Sequence, residues 1–242
     1  MATVNRRDST GMAAPGNPSP PALGTGSLSP LLSKATRAEA VAERLRLEIV
    51  SARIAPGTLL RENAVASQLG ISPTPVREAF AALAAEGLLQ VEAHRLKRVT
   101  PIDFIAMRDL LRVQTRLWRF GYELGMPRIG PEEITRLSCA IDTYRDALDR
   151  GDALAAIRAG HDFHSVFIVA SKNAELLRST LTRRSLIARF ILLHGSTTIS
   201  TAGLRKHRAI LACLKRGDAE GVLIQLDELA ARLLAMASLD DE

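Results

Sequence analysis

Helical periodicity runs through most of this chain. Ala38, Val41, Ala42, Leu45 and Ile49 form the first apolar stripe at helical spacing. Thr36 and Glu39 stand three residues apart in front of it. That is the spacing of a capping box, in which each side chain accepts the other residue's backbone N–H. The helix is expected to stop near Ala55-Pro56-Gly57. A short helix over residues 62–69 follows and ends at Gly70. Val76, Phe80 and Leu83 mark the next one. Ser72 is its expected N-cap, Pro73 and Pro75 lie in its first turn, and Gly87 closes it. Two short helices around a tight glycine turn make a helix-turn-helix unit. The pattern then changes. Residues 88–92 and 98–100 read as two short strands around the tip His94-Arg95-Leu96-Lys97, and Leu59-Leu60 as a third strand beside them. A helix-turn-helix followed by such a hairpin is a winged helix.

Beyond Thr100-Pro101-Ile102-Asp103, read as a hinge, the pattern is helical again. Asp103 is placed to cap a helix reaching about residue 124, with Leu110, Leu117 and Trp118 on its stripe. After a loop over 125–130, Pro131, Glu132 and Glu133 open a helix lined by Ile134, Leu137, Ile141, Tyr144 and Leu148; the acidic pair suits the helix dipole. Asp152 caps a helix to about residue 171. Asn173 breaks the pattern, and a long helix is expected over 174–194. A polar loop, a helix over 204–215, a Gly217-Asp218 turn and a last helix over 219–238 complete it. The fold class is therefore mainly α. A winged helix-turn-helix with a small β-wing over residues 33–101 precedes an all-α bundle of about six helices over 102–238. Residues 1–32, rich in Gly, Pro, Ser, Ala and Thr, lack apolar periodicity and are expected to be a disordered tail.

Composition supports this reading. Hydrophobic residues make up 47% of the 242 and aromatics only 4%, so the core must be aliphatic. The net charge of +6 permits a nucleic-acid partner. It is spread evenly along the chain, so local placement has to carry that case. Cys139 and Cys213, each between apolar neighbours in a helical pattern, are expected to be buried reduced thiols. The sequence has no run of 18 apolar residues and no apolar h-region at its N-terminus, so no membrane partner and a cytoplasmic location are expected.

Pro56-Gly57, Leu69-Gly70-Ile71-Ser72, the run Thr74-Pro75-Val76-Arg77-Glu78-Ala79, and Glu86-Gly87-Leu88 together resemble the DNA-binding domain of GntR-type bacterial transcription regulators. The helix spacings beyond the hinge resemble the FCD effector domain of the FadR subgroup, with Phe163-His164, Lys172-Asn173, Lys206-His207, Ile210 and Gly217-Asp218-Ala219 at similar positions. The resemblance implies a ligand-responsive repressor, not an enzyme. It would bind a short inverted-repeat, double-stranded operator as a homodimer, under the control of a small organic acid. Ser72, Thr74 and Arg77 then face the DNA at the start of the recognition helix, with Arg61 and Asn63 nearby and Arg95 and Lys97 on the wing. Pro73, Asn63 and Leu96 stand where the family commonly has arginine, arginine and glycine. That departure motivates an alternative, an effector sensor whose DNA module has decayed.

Many FCD domains hold a divalent metal such as zinc or nickel through an Asp and three His. Here His164 and His207 match, whereas Gly160 and Leu229 occupy the other two positions. His161 or His194 are the candidate substitutes. With half the set missing, a metal-free pocket is favoured over a metal site, lined by His161, His164 and His207 and completed by Arg112 as a bidentate carboxylate clamp. Arg112 on the helix after the hinge would also carry the effector signal to the DNA module. The rival class is a metal-dependent enzyme using His161, His164 and His207. It lacks a nucleophile motif, a phosphate loop and a full ligand set.

Overall fold

The computed structural model describes residues 36–91, 96–195 and 199–238. Helix α1 (Arg37–Val50) starts with the expected capping box: Thr36 N–H donates to Glu39 Oε2 at 2.7 Å and Glu39 N–H to Thr36 Oγ1 at 3.2 Å. It ends five residues before Ala55. The Ser51 hydroxyl turns back onto the Leu47 carbonyl at 2.7 Å, and Ala52 enters the left-handed region at φ 57°. Strand β1 (Leu59–Leu60) leads into α2 (Glu62–Leu69), and Gly70, left-handed at φ 66°, makes the turn into α3 (Pro73–Ala85). Strands β2 (Leu89–Val91) and β3 (Lys97–Val99) complete a three-stranded antiparallel sheet in the order β1-β3-β2. Leu60 faces Lys97 and Leu89 faces Val99. The tail over 1–32 and the wing-tip residue Arg95 lie outside the described residues.

Ser72 occupies the N-cap of α3, but its side chain makes no capping bond. The sequence supplies part of the reason, since of the two N–H groups a cap can serve only that of Thr74 exists. A cap hydroxyl serves the N–H of the second or third helical residue, and the third is Pro75, which has none.

The second half is helical among the described residues. Helix α4 (Phe104–Gly125) is capped by Asp103, whose carboxylate accepts from Ala106 N–H at 2.9 Å, and a 3-10 turn (Met126–Arg128) follows. Then come α5 (Pro131–Asp149), α6 (Ala153–Ala170), α7 (Ala174–Leu181), α8 (Arg184–His194), α9 (Thr201–Lys215) and α10 (Ala219–Met236). The single helix expected over 174–194 is thus two. The Thr180 and Thr182 hydroxyls bond back to the carbonyls of Leu176 and Arg178, four residues earlier. Such back-bonding competes with the helix ladder, and the chain turns at Thr182-Arg183 before α8 begins.

Two apolar clusters hold the molecule together. One lies within the bundle and joins Tyr122, Leu137, Phe163, Phe167, Ile210 and Leu226. The other is shared between the halves: Leu45, Ile49 and Phe80 of the winged helix lie in the same cluster as Leu111, Trp118, Ile187 and Phe190 of the bundle. Helix α8 packs directly on α1. Cys213 is buried as expected, but Cys139 is exposed, because Leu137, Ala140, Ile141 and Tyr144 take the inner face of α5.

Candidate functional site

The winged helix presents one polar face. Arg61, Asn63, Ser72, Thr74 and Arg77 are all exposed, and Lys97 is half-buried on β3. Val76, Ala79, Phe80 and Leu83 anchor the opposite face of α3 in the core. Arg77 donates through Nε to Glu62 Oε2 at 2.9 Å, which fixes its stem against α2 while its side chain stays 62% exposed. Arg46 of α1 bridges to Glu86 beyond the end of α3, with Nε to Oε2 at 2.8 Å, and so fixes the tilt of α3.

Within the bundle, His161 and His164 of α6 and His207 of α9 come together. The His164 and His207 ring centroids are 5.2 Å apart. Trp118 of α4 stacks flat on His164 at 4.9 Å, and Phe163 meets His207 edge-on. A cavity of about 50 Å³ is lined by Trp118, Tyr144, His161, His164, His207 and Leu229, among others. A second cavity, of about 20 Å³, shares Trp118, His161 and His164 with it and opens past Ser165 and Arg184.

Burial decides the charge of this site. Desolvation lowers His161 to about 3, helped by the nearby Arg184 charge, and lowers His207 to about 4. Desolvation also holds His164 well below the usual histidine range and raises Tyr122 well above the usual phenol range. All three rings are neutral at neutral pH. One hydrogen bond assigns a tautomer. His207 Nδ1 lies 2.9 Å from the Gly203 carbonyl, which can only accept, so Nδ1 carries the proton and Nε2 offers a bare lone pair. Among the described residues that Nε2 has no partner, and neither ring nitrogen of His161 has one. The Tyr122 hydroxyl lies 2.7 Å from His164 Nδ1 and can donate to it or accept from it, so His164 is free to take either tautomer.

A divalent ion does not fit this donor set. The three imidazoles are the only His, Cys, Asp or Glu side chains lining the cavity among the described residues: Gly160 supplies no carboxylate, and Leu229 lines it with an apolar chain. Among the described residues no three His, Cys, Asp or Glu side chains converge as a metal site. His194, the other candidate ligand, is exposed and packs against Phe104 and Phe190. Arg112 also departs from expectation. It is 62% exposed, pairs with Asp109 at 3.2 Å, and lines a surface recess with Arg116 and Asp227. The inward stripe of α4 carries Leu111, Thr115 and Trp118, which turns Arg112 outward. The cation that does line a histidine cavity, the smaller one, is Arg184. Its only sequence signal is the spacing to Ile187 and Ile191, the three lying on one α8 face that lines the cavities. That signal was hidden while 174–194 read as one helix.

A winged helix with a polar recognition face, joined to a helical bundle that encloses a cavity, defines a DNA-binding regulator with a ligand-binding domain. Residues 37–95 match bacterial regulatory proteins of the gntR family, and residues 109–232 match the FCD domain. The chain belongs to the GntR family of transcription regulators and carries an FCD effector domain. It is 28% identical over 189 residues to the probable D-xylose utilization operon transcriptional repressor of Paenarthrobacter nicotinovorans, covering 78% of this chain and 83% of that one. It is 27% identical to the HTH-type transcriptional repressor RspR of Escherichia coli (strain K12), over 74% of this chain and 78% of that one. In fold it is similar to E. coli McbR/YncC, with a TM-score of 0.73 at 21% identity, over 84% of this chain and 97% of that one. The Paenarthrobacter nicotinovorans and RspR relatives are named as transcriptional repressors, not as enzymes. None of the described helices is long and apolar enough to cross a membrane.

Proposed function

We propose that this protein is a repressor that binds an inverted-repeat operator as a homodimer in the cytoplasm and responds to a small organic acid held in its FCD domain. The observation that carries the reading is the exposed polar face of α3, with Ser72, Thr74 and Arg77 aimed away from a fully buried anchor of Val76 and Phe80. Arg61, Asn63 and Lys97 extend that face, and the hinge at Pro101 divides it from the effector domain. The decayed-sensor alternative loses ground because the scaffold and Arg77 are both in place. The names of the relatives support repression. A second copy of the chain fits the outer face of α4, where Val113 is 59% and Phe120 46% exposed, seven residues apart.

The test is a mobility-shift titration against the DNA upstream of the protein's own gene. Arg77→Ala is expected to cost about 1–3 kcal/mol of operator affinity if its guanidinium reads a guanine. Unchanged affinity removes Arg77 from the interface. Sedimentation of Phe120→Glu is expected to show monomer where the parent protein shows dimer.

A further inference from the structure

We infer that Arg184 and His207 form the two ends of the effector site. The ligand is a small hydroxy acid, with its carboxylate on Arg184 and a hydrogen-bond donor delivered to His207, and no metal is required. The inference rests on the effector-responsive reading above and specifies the chemistry of its ligand.

At the outer end, Arg184 is the first residue of α8 and lines the smaller cavity. Among the described residues only its Nη2 is engaged, donating to Asp162 Oδ1 at 2.6 Å and to the Arg158 carbonyl at 3.2 Å. The other N–H groups of the guanidinium are left to grip a carboxylate. The N-cap of α8, Arg183, offers no side-chain acceptor, so the positive end of the helix adds to the same pole. His161 points to a ligand independently. It is 8% exposed, lines both cavities, and neither of its ring nitrogens has a partner among the described residues. A neutral imidazole offers one donor and one acceptor, and leaving both unmet in a buried site is costly.

At the inner end the requirement is reversed. His207 Nε2 is a buried lone pair with its tautomer fixed by the Gly203 carbonyl. A second carboxylate would meet it with lone pairs of its own; a hydroxyl satisfies it. Between the ends, the face of Trp118 and the side chains of Ile187 and Ile191 call for a flat or compact apolar body. Gly160 widens this middle. A Cβ there would lie 3.3 Å from the Tyr144 ring and 3.7 Å from His207 Nε2.

The test is calorimetric titration of the full chain with 4-hydroxybenzoate, 3-hydroxybenzoate and 3-hydroxybutyrate, with benzoate and 4-hydroxybenzamide as the singly altered controls. At least one hydroxy acid is expected to bind, in the presence of a chelator, at one per chain. Its benzoate or benzamide counterpart should bind more weakly. Arg184→Gln should weaken the acid on the order of 10–100-fold, the scale of a charged hydrogen bond, and leave the amide unchanged. Asp162→Asn, a substitution at an exposed residue, should tighten the acid by freeing Arg184. No binding by any of the three acids overturns the inference. So does equal affinity in Arg184→Gln, or binding that the chelator abolishes. Operator binding is measured separately on ligand-free protein. Loss of the subsite with intact operator binding sinks only this inference, and ligand binding without operator binding sinks only the proposed function.

Discussion

A neutral histidine held out of bulk water is a strong constraint at the scale of single residues. His161 and His207 titrate at about 3 and about 4 in the folded protein because burial disfavours their charged forms. In the unfolded chain they titrate near the ordinary value of about 6.5. Between these values the unfolded state binds more protons than the folded one. Stability is therefore complete above about pH 6.5 and is lost as pH falls toward 4, at roughly 1.4 kcal/mol per pH unit for each histidine. Urea midpoints at pH 7, 6, 5 and 4.5 are expected to fall steadily, and His161→Leu should flatten the decline. A midpoint independent of pH across that window would mean that the rings are not buried in neutral form. The same low dielectric explains why Arg189, with no exposed surface, is lowered to about 10.

Individual elements differ in what their small residues do. On α4, Gly125 and Gly121 both face α6, but a Cβ at Gly125 would lie 2.2 Å from the Phe167 carbonyl oxygen, which is backbone. At Gly121 the obstacle is the Cδ1 end of Ile168, which can rotate aside. Gly125→Ala should therefore separate α4 from α6 and cost roughly 1–3 kcal/mol as overpacking, with Gly121→Ala clearly milder. Thermal unfolding of the two variants side by side checks this; equal losses would contradict it. Helix α3 offers a separate test. Since the Ser72 hydroxyl caps nothing, Ser72→Ala should leave the thermal midpoint almost unchanged. Any loss of operator affinity in that variant then belongs to a DNA contact.

For the whole molecule, we propose a signal path through α8 in place of one along α4 from Arg112. Ile187 and Ile191 line the cavities, Arg189 donates to the Thr100 carbonyl at the hinge at 2.7 Å, and the helix packs on α1. Arg183, just before it, lies close to Gly87, which ends the turn out of the recognition helix at φ 81°. A ligand that shifts α8 therefore acts on the hinge and on the back of the DNA module together. A coupling of ~1–3 kcal/mol would change operator affinity about 5–150-fold, and linkage requires operator to change ligand affinity by the same factor. Arg189→Met should fold, since replacing a buried cation with an apolar chain of similar length is often neutral, and it should reduce that factor. Ligand affinities measured with and without operator, in the parent protein and in this variant, decide the matter: identical coupling would free Arg189 from the path.

Local chemistry in the chain was enough to determine the winged helix and most of the bundle. The Thr36 capping box, the Gly70 turn, the prolines opening α3 and the Asp103 and Asp152 caps act within a few residues, and apolar stripes of helical period need only a partner face, whichever it is. The cavity was legible in part, because His161 and His164 share an α6 face and His207 was marked by the family resemblance. Tertiary structure alone decided the rest. Rotation of α4 about its axis sent Arg112 to solvent and Trp118 inward, and a stripe with apolar residues on several sides does not say which side wins. The break at Thr182-Arg183 created a second helix, and with it Arg184 at the cavity and Arg189 at the hinge. The His207 tautomer and the depressed histidine pKa values arise from packing among α4, α6 and α9, which no spacing along a single helix encodes.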